Sequence, residues 1–516
     1  MKTNIFLFSV AMIVLLFSCA KDDSNYTYSD GEYINIEGIQ NTYTLISQKD
    51  RLQLSPVVSS NKDGDFEYRW GIYETNVQGR VEPLDTIART KDLDYFITED
   101  AKAWVLVFMV KNKKTGFTQY KNTTLNINTE FTRGWYVLKD DGNMSDLDLF
   151  LIPTSPKSQE RIDNIYSTVN GHKVEGKGTF LSFFTAYKST ITGALGNTRA
   201  LMVSTEKDIQ SISINSLKTI RDKNDIFLGG PKDVGSPSFV FIGSSANYVM
   251  NKGQLHHIYA MSANNGQFGD RLRIDAKDSP YQLAPSFCVS TYADPIMFDN
   301  TSSSFVTLAN GSGSMLVNFA EDAPTSPLTN TDKKALFIGF KEAVYLPAPI
   351  YAYQVNGYGI FQGKTDPSLK TIVYLQQNKQ KMKASEQVIE SSKKLYNATQ
   401  YALLNGDENM LFFVNNNQVW NYNLSNAFEQ LQFTPPAGEE ITFIRHLKYT
   451  TAADTGYPFN LFVVGVKAGA GYKIYMFTKS SGNLDTTPYQ VLEGNGAARA
   501  IFYISPNVSE GTFPNN

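Results

Sequence analysis

"LFFVNNNQVWNYNLS", residues 411–425, decides how most of this chain is read. Four apolar residues run into three asparagines and then into a second stretch rich in large side chains, which is the pattern of a strand, a tight polar turn and a second strand. The unit recurs as "LMVSTEKDIQSISIN" (201–215), "YVMNKGQLHHIYAMS" (248–262), "SFVTLANGSGSMLVNF" (304–319), "GYGIFQGKTDPSLKTIVYLQQ" (357–377) and "LFVVGVKAGAGYKIYMFTK" (461–479). With Val137 in an opening copy, the equivalent positions are Leu201, Tyr248, Phe305, Gly359, Phe412 and Phe462, separated by 64, 47, 57, 54, 53 and 50 residues. A drifting period near fifty, with hairpins inside each copy, is the signature of propeller blades. A β-helix repeats over far fewer residues, and helical solenoids need a 3.6-residue periodicity that these copies lack. Residues 129–510 therefore predict a β-propeller, of seven blades by the copy number and with six or eight as the alternatives, in which radial repetition buries both faces of each blade and leaves short, protected edges.

The preceding region, 31–128, differs in grain. "NTYTLI", "RLQLSPVV", "FEYRWGIYE", "LDYFI", "AWVLVFMVKN" and "TQYKNTTLNI" are strand candidates separated by the turn signals "SNKDGD", "TEDA" and "KNKKTG". Short strands at this spacing predict an immunoglobulin-like sandwich, with Trp70 and Trp104 as core aromatics. "NKDGD" lacks the spacing of an EF-hand loop and is read as a hairpin turn. The fold class is all-β throughout: a sandwich, a propeller and a C-terminal tail, 511–516. One charge-rich stretch, "NKQKMKASEQVIESSKKLYN" (378–397), breaks the repeat and is read as a solvated excursion between blades, with a short helix as the alternative.

Bulk composition excludes several function classes. A net charge of −3 over 516 residues gives no electrostatic case for nucleic acid or anionic lipid. Aromatic residues make up 13% and charged residues 19%, which suits a β-rich, turn-rich extracytoplasmic protein. The two cysteines, Cys19 and Cys288, form no disulfide framework, and Cys288 in "APSFCVST" is read as a buried small hydrophobe.

Cys19 has another reading. Lys2 precedes the apolar run Ile5–Phe17, whose length fits a signal-peptide h-region and falls short of the ~20 residues that span a bilayer. The run ends Leu16-Phe17-Ser18-Cys19, which resembles a bacterial lipobox, with the bulky Phe17 departing from the small residue often found there. The resemblance implies cleavage after residue 18 and acylation of Cys19 by two or three fatty chains, enough for stable anchoring. Lys21, Asp22 and Asp23 resemble the surface-export signal of bacteria that use SusCD-type importers, and residues 19–30 read as a lipidated flexible tether. The expected location is the outer membrane, held by the lipid anchor alone and facing outward.

No catalytic constellation emerges. The four histidines are His172, His256, His257 and His446. The adjacent pair in "QLHHIYAM" lies in a strand, where neighbours point to opposite faces and cannot grip one metal. "NGSGSM" (310–315) misses nucleophile-elbow spacing and "KAGAGYK" (467–473) lacks a phosphate-binding fingerprint; both are hairpin tips. "DDGNMSDLD" (140–148) offers four carboxylates, as glycoside hydrolysis requires, and is read first as a surface loop. Two aromatic-rich stretches, "YLPAPIYAYQVNGYG" (345–359) and "VWNYN" (419–423), are candidates for stacking against sugars or peptide side chains, with strands of packed tyrosines as the equal alternative, so no single ligand-binding residue is named. No metal, cofactor or catalytic residue is expected.

The stretches "LLFSCAKDD", "LSPVV…YRWGI…WVLVFMV" and "FTRGWYVLKDDGNMSDLDLFL" together resemble the PKD-like family of bacterial surface lipoproteins, with the likeness extending over nearly the full length. That resemblance implies association with an importer in which a SusD-like lipoprotein closes over a SusC-like TonB-dependent barrel. The expectation is a non-enzymatic accessory lipoprotein that binds or hands over nutrient, oligopeptide before glycan. The alternatives are a surface glycan hydrolase using propeller-funnel carboxylates and a structural scaffold of the importer.

Overall fold

A computed structural model describes residues 31–47, 49–74, 83–151, 160–191, 195–309, 313, 315–322, 326–448 and 460–504. The signal stretch 1–18, the tether 19–30 with Cys19, Lys21, Asp22 and Asp23, most of 310–315 and the tail 511–516 lie outside the described residues. Two compact units are present: one runs to Thr98 and takes in Lys102–Ile127, the other comprises Glu99–Ala101 and everything from Asn128. Among the described residues no helix is long and apolar enough to cross a membrane.

In the first unit every predicted segment carries a strand. "RLQLSPVV" divides into Arg51–Leu54 and Val57–Ser60 around Pro56, which has no N–H to give a ladder. Ile34–Glu37 and Asp85–Ala88 are strands that the sequence reading did not single out. Thr42–Ile46, Thr118–Asn128, Ala103–Asn112, Phe66–Glu74 and Asp85–Ala88 form a five-stranded antiparallel sheet in that order. Ile34–Glu37 pairs with Val57–Ser60, and Arg51–Leu54 with Leu93–Phe96. Leu52, Leu54 and Leu93 from these short pairs share one core with Trp70, Phe108 and Leu125 of the five-stranded sheet, which makes the unit a sandwich. Trp70 is wholly buried, stacks on Phe108 at 4.2 Å, and donates its Nε1–H to the carbonyls of Thr90 and Lys91 at 3.1 and 3.2 Å. Trp104 is half-buried and packs against the same core, with the Lys102 ammonium 4.4 Å from its ring centre.

The second unit is a succession of seven sheets of three or more strands among the described residues, with one further two-stranded pair, Lys479–Ser480 and Asn483–Leu484. The first combines the last described strand, Ala497–Ile504, with Gly134–Asp140, Met144–Phe150 and Arg161–Ile162, and Val174–Glu175 also pairs with Met144–Phe150. The second is Gly178–Ser189, Gly196–Thr205, Ile209–Ser213 and Thr219–Arg221; the third Ser238–Ile242, Ala246–Asn251 and Gln254–Tyr259; the fourth Met297–Asp299, Ser304–Leu308 and Leu316–Asn318. The fifth is Lys333–Leu346, Ala352–Gly363, Lys370–Asn378 and Lys381–Val388, the last joined by Ala320–Glu321 in parallel. The sixth is Gln400–Leu403, Met410–Asn415, Gln418–Asn423 and Glu429–Phe433, and the seventh Glu439–Lys448, Asn460–Ala468, Gly471–Phe477 and Gln490–Asn495.

Each of the seven repeat markers, Val137 to Phe462, falls in a different sheet and in its second strand as ordered above. The physical reason is burial. A second strand has neighbours on both edges and sheets on both faces, so it reads as an unbroken apolar run. The first strands touch in turn: Ala497–Ile504 meets Gly178–Ser189, which meets Ser238–Ile242; further on, Lys333–Leu346 meets Gln400–Leu403, which meets Glu439–Lys448, which returns to Ala497–Ile504. Aromatic pairs join successive sheets, among them Phe183 with Phe502, Phe298 with Phe361 at 5.0 Å, and Phe412 with Phe462 at 4.3 Å. The arrangement is propeller-like, and it is fastened where the chain's end completes the sheet begun at Gly134, with Trp135 opposite Tyr503 and Val137 opposite Ile501.

The stretch 378–397 is neither a helix nor a solvated excursion. Lys381–Val388 pairs along its full length with Lys370–Asn378 and buries Met382 and Ala384, because "KMKAS" alternates with a period of two; only Lys394–Asn397 forms a 3-10 turn.

Candidate functional site

The strands Lys333–Leu346 and Ala352–Gly363 form a long hairpin that ends in "PAPIY", residues 347–351. Two prolines withdraw N–H groups from the ladder there, and the amides of Ile350 and Tyr351 both donate to the Pro347 carbonyl, at 3.0 and 3.3 Å. Tyr345 and Tyr353 are paired across the two strands just below the tip, and their rings meet edge-on at 5.3 Å. A third ring comes from the segment before the fourth sheet. Cys288 and Ile296 exchange two backbone hydrogen bonds of 2.9 Å, closing a small hairpin that carries Tyr292. Tyr292 packs on Tyr353 at 4.1 Å between ring centres.

Two clips hold this second hairpin against the fifth sheet. Ile338 donates its N–H to Ser286 Oγ at 2.7 Å, and Gln377 Nε2 donates to the Asp294 carbonyl at 2.9 Å. Gly357 permits the close approach: a Cβ there would lie 2.7 Å from the Gly339 carbonyl oxygen and 3.2 Å from Cys288 Sγ. Cys288 is buried as expected, and burial pushes its thiol far above the usual range. The outcome is a platform on which Tyr292 is 51% exposed, Tyr345 53% and Tyr353 39%, with Tyr351 and Ile350 also exposed at the tip. Aromatic side chains held in mutual contact while facing water are pre-positioned to stack on a flat apolar surface.

Of the two aromatic candidates, the structure thus opens 345–359 and closes 419–423. In the latter, Tyr422 is buried, and Trp420 is half-buried with the Lys394 ammonium 5.7 Å from its ring centre. Tyr292 was missed by the sequence reading. Its only signal was a tyrosine in a polar "STYAD" turn, which says nothing of the hairpin beside it.

Three of the four carboxylates of 140–148 do not lie in a surface loop. Asp140, Asp146 and Asp148 are buried in the first sheet and each is engaged; only Asp141, in the turn, is exposed. Asp148 takes the Lys139 ammonium at 2.6 Å, the Asn164 amide at 2.9 Å and the Tyr472 hydroxyl at 2.7 Å. Asp140 receives Arg499 on both oxygens, at 2.5 and 3.2 Å. Asp146 accepts from Leu147 N, Ser167 N and Ser167 Oγ. Asp141 is held down to about 2 by Lys173 and by the amides of Met144 and Asn143. The reason is topological: the last strand of the chain brings Arg499 alongside, which no local pattern discloses.

A second ionic network sits among the fifth, sixth and seventh sheets. Asp407 binds Lys448 at 2.6 Å, Asn460 at 2.7 Å, and Lys479. Burial works to raise its carboxyl, but hydrogen bonds from His446 and from these partners hold it far below the usual carboxylate range. Lys341, bulged out of its strand, gives its ammonium to the carbonyls of Asp407, Glu408 and Leu404 at 2.7, 3.0 and 3.3 Å. His256 and His257 fall on opposite faces of one strand; His256 is buried and His257 half-buried. "KAGAGYK" spans the hairpin between Asn460–Ala468 and Gly471–Phe477. Among the described residues no group of three or more His, Cys, Asp or Glu could hold a metal ion.

An all-β chain with a sandwich followed by a propeller-like ring, and a tyrosine platform on that ring, is the class of protein that fold and site define. Residues 19–178 match the model of the PKD-like family, which supports the resemblance read from sequence over that part of the chain. The match takes in the sandwich and every strand of the first sheet except Ala497–Ile504. No curated protein matches the chain. Among solved structures, the chain is similar to a quinonprotein alcohol dehydrogenase-like protein from Bacteroides thetaiotaomicron, at 13% identity and a TM-score of 0.37 over 90% of this chain and 97% of that one. It is also similar to the dihydro-heme d1 dehydrogenase NirN, at 10% identity and a TM-score of 0.37 over 72% and 75%. At those scores neither likeness carries the propeller-like assignment; the ring of sheets does.

Proposed function

We propose that the chain is a surface-tethered, non-enzymatic binding protein built as a seven-bladed propeller behind a PKD-like sandwich, and that its cargo docks on Tyr292, Tyr345 and Tyr353. The single observation that carries this reading is the exposure of three rings already in mutual contact. Such a platform supports a ligand with a repeated flat apolar face. A glycan offers one on every pyranose ring, whereas an oligopeptide offers one only at proline and aromatic residues, so the platform favours the glycan over the oligopeptide. The carboxylates of the acidic stretch 140–148 are engaged in packing or turn formation, so that stretch supplies no free acid–base pair for hydrolysis of that glycan.

The reading places the protein on the outer membrane through Cys19, exported by Lys21-Asp22-Asp23, as an accessory of a SusC-like barrel and its SusD-like lid. Tethering beside an importer raises the effective concentration of cargo and removes the need for tight affinity. Affinity purification of the intact lipoprotein from detergent-solubilised outer membranes, followed by mass spectrometry, tests this. Barrel and lid in stoichiometric amount support it; a protein that emerges alone contradicts the importer role. Cys19→Ala is expected to leave a folded protein in the soluble fraction, and persistence of that variant in the membrane fraction refutes the anchor.

A further inference from the structure

Neighbouring sheets of the ring meet chiefly through their first strands, which makes those strands the innermost. Glu439–Lys448 is the first strand of the seventh sheet, and it touches Gln400–Leu403 on one side and Ala497–Ile504 on the other. Side chains two residues apart in a strand share a face. Phe443 and Leu447, which flank Arg445 at that spacing, both belong to the core that Phe183 enters from the second sheet and Phe502 from the first. Arg445 therefore stands on the face of its strand that looks toward those two sheets, close to the axis of the ring.

The other cations held in the ring are provided for. Lys139 has Asp148, Arg499 has Asp140, Lys341 has three carbonyls, and Arg199 lies over the Phe183 ring at 4.9 Å. Arg445 is half-buried, yet among the described residues it has no hydrogen-bond partner, no counter-ion and no aromatic ring. Burial pulls its guanidinium down to about 10, with no carboxylate acting on it. Its nitrogens are not among the buried, unsatisfied polar atoms of the described residues, so the head group is open to water rather than sealed in the core. A guanidinium stays protonated at neutral pH, and the ring thus carries a fixed, poorly hydrated positive charge beside its axis. Withdrawing a charge from water without an acceptor is costly, and here the chain supplies none.

We infer that Arg445 anchors a carboxylate-bearing ligand near the axis of the ring, its planar fork taking both carboxylate oxygens. Such a carboxylate comes from a uronic acid or from the C-terminus of a short peptide, two sources that experiment separates. The site goes beyond the tyrosine platform and does not rest on it.

The test is titration calorimetry of the full chain at low salt, comparing glucuronate with glucose and acetyl-dialanine with its amide. Saturable one-to-one binding of at least one carboxylate, and of neither neutral counterpart, is expected; the carboxylate that binds more tightly names the source. Arg445→Gln should weaken that binding at least ~10-fold, and Arg445→Lys should weaken it less, because it keeps the charge without the fork. Unfolding gives an independent readout. With no partner to lose, Arg445→Gln should leave the denaturation midpoint unchanged or raise it, whereas loss of an arginine that held the fold together would lower it. Tyr353→Ala should bind the carboxylate as the wild type does. The site is overturned by absence of saturable binding of either carboxylate, by equal binding of a neutral counterpart, by undiminished binding in Arg445→Gln, by a lowered midpoint in that variant, or by loss of binding in Tyr353→Ala.

Discussion

The acidic cluster on the first sheet and the tyrosine platform beside the fifth are opposites in how they spend their chemistry. Asp140, Asp146 and Asp148 are buried among Arg499, Ser167, Lys139 and Tyr472, with their lone pairs taken up. Tyr292, Tyr345 and Tyr353 touch mainly one another and leave their outer faces to water. Charge that is satisfied at the seam where the last strand meets the first holds the ring shut; apolar surface that is rigid and unsatisfied is available to a ligand. The acidic residues that looked most chemical in the sequence are thus architecture, and the candidate site joins two nominated tyrosines to a third, Tyr292, that the sequence reading passed over.

The contrast can be broken most forcefully at Asp148. Asp148→Ala leaves the Lys139 ammonium buried without a counter-charge and strands the Asn164 amide, so it should lower unfolding stability by ~3–5 kcal/mol in a denaturant titration. Next in size is a pH effect. His256 titrates near 4 in the folded chain, below its ordinary value, so between about 6.5 and 4 the unfolded chain binds a proton that the folded chain refuses. Stability is therefore fully present above pH 6.5 and falls as pH drops through that window, by about 3 kcal/mol from this residue. His257 and His446, both lowered by burial, add with the same sign. Denaturant titrations at pH 7 and pH 4.5 should show a smaller difference for His256→Gln than for the wild type.

Asp407 extends the loss into acid. Its folded value lies far below the unfolded one near 4, so its stabilisation is present above that value and disappears as pH falls further. At neutral pH, Asp407→Asn should cost ~2 kcal/mol, since Lys448 and Lys479 lose their shared partner while Asn460 and the backbone contacts of Lys341 remain. The smallest effect on stability falls on the platform: Tyr353→Ala removes the ring that packs on both Tyr292 and Tyr345 and should lower stability by ~1 kcal/mol, while weakening cargo binding about tenfold.

Much of the architecture was legible. The markers from Val137 to Phe462 land in seven separate sheets because a strand covered on both faces and edges must be continuously apolar, and a linear pattern records that. The strand at 381–388 was missed because its lysines and glutamate mask the alternation that buries Met382 and Ala384. The site was less legible. Tyr345 and Tyr353 flank a proline-rich tip and could be nominated, but Tyr292 joins them only through Ser286, Gln377 and the space left by Gly357. Arg499, more than three hundred residues from Asp140, reaches it only because the ring closes; separation in sequence hides both relations.

The measurement that bears most directly on this account is binding of soluble oligosaccharides and of proline-rich and aromatic oligopeptides to the wild type and to Tyr292→Ala and Tyr353→Ala, read by titration calorimetry alongside unfolding curves. The account predicts saturable binding of an oligosaccharide that is weakened in both variants while both remain cooperatively folded, with unfolding curves shifted by no more than ~1–2 kcal/mol. Binding that is indifferent to both substitutions would place the cargo elsewhere on the protein and contradict the role of the platform.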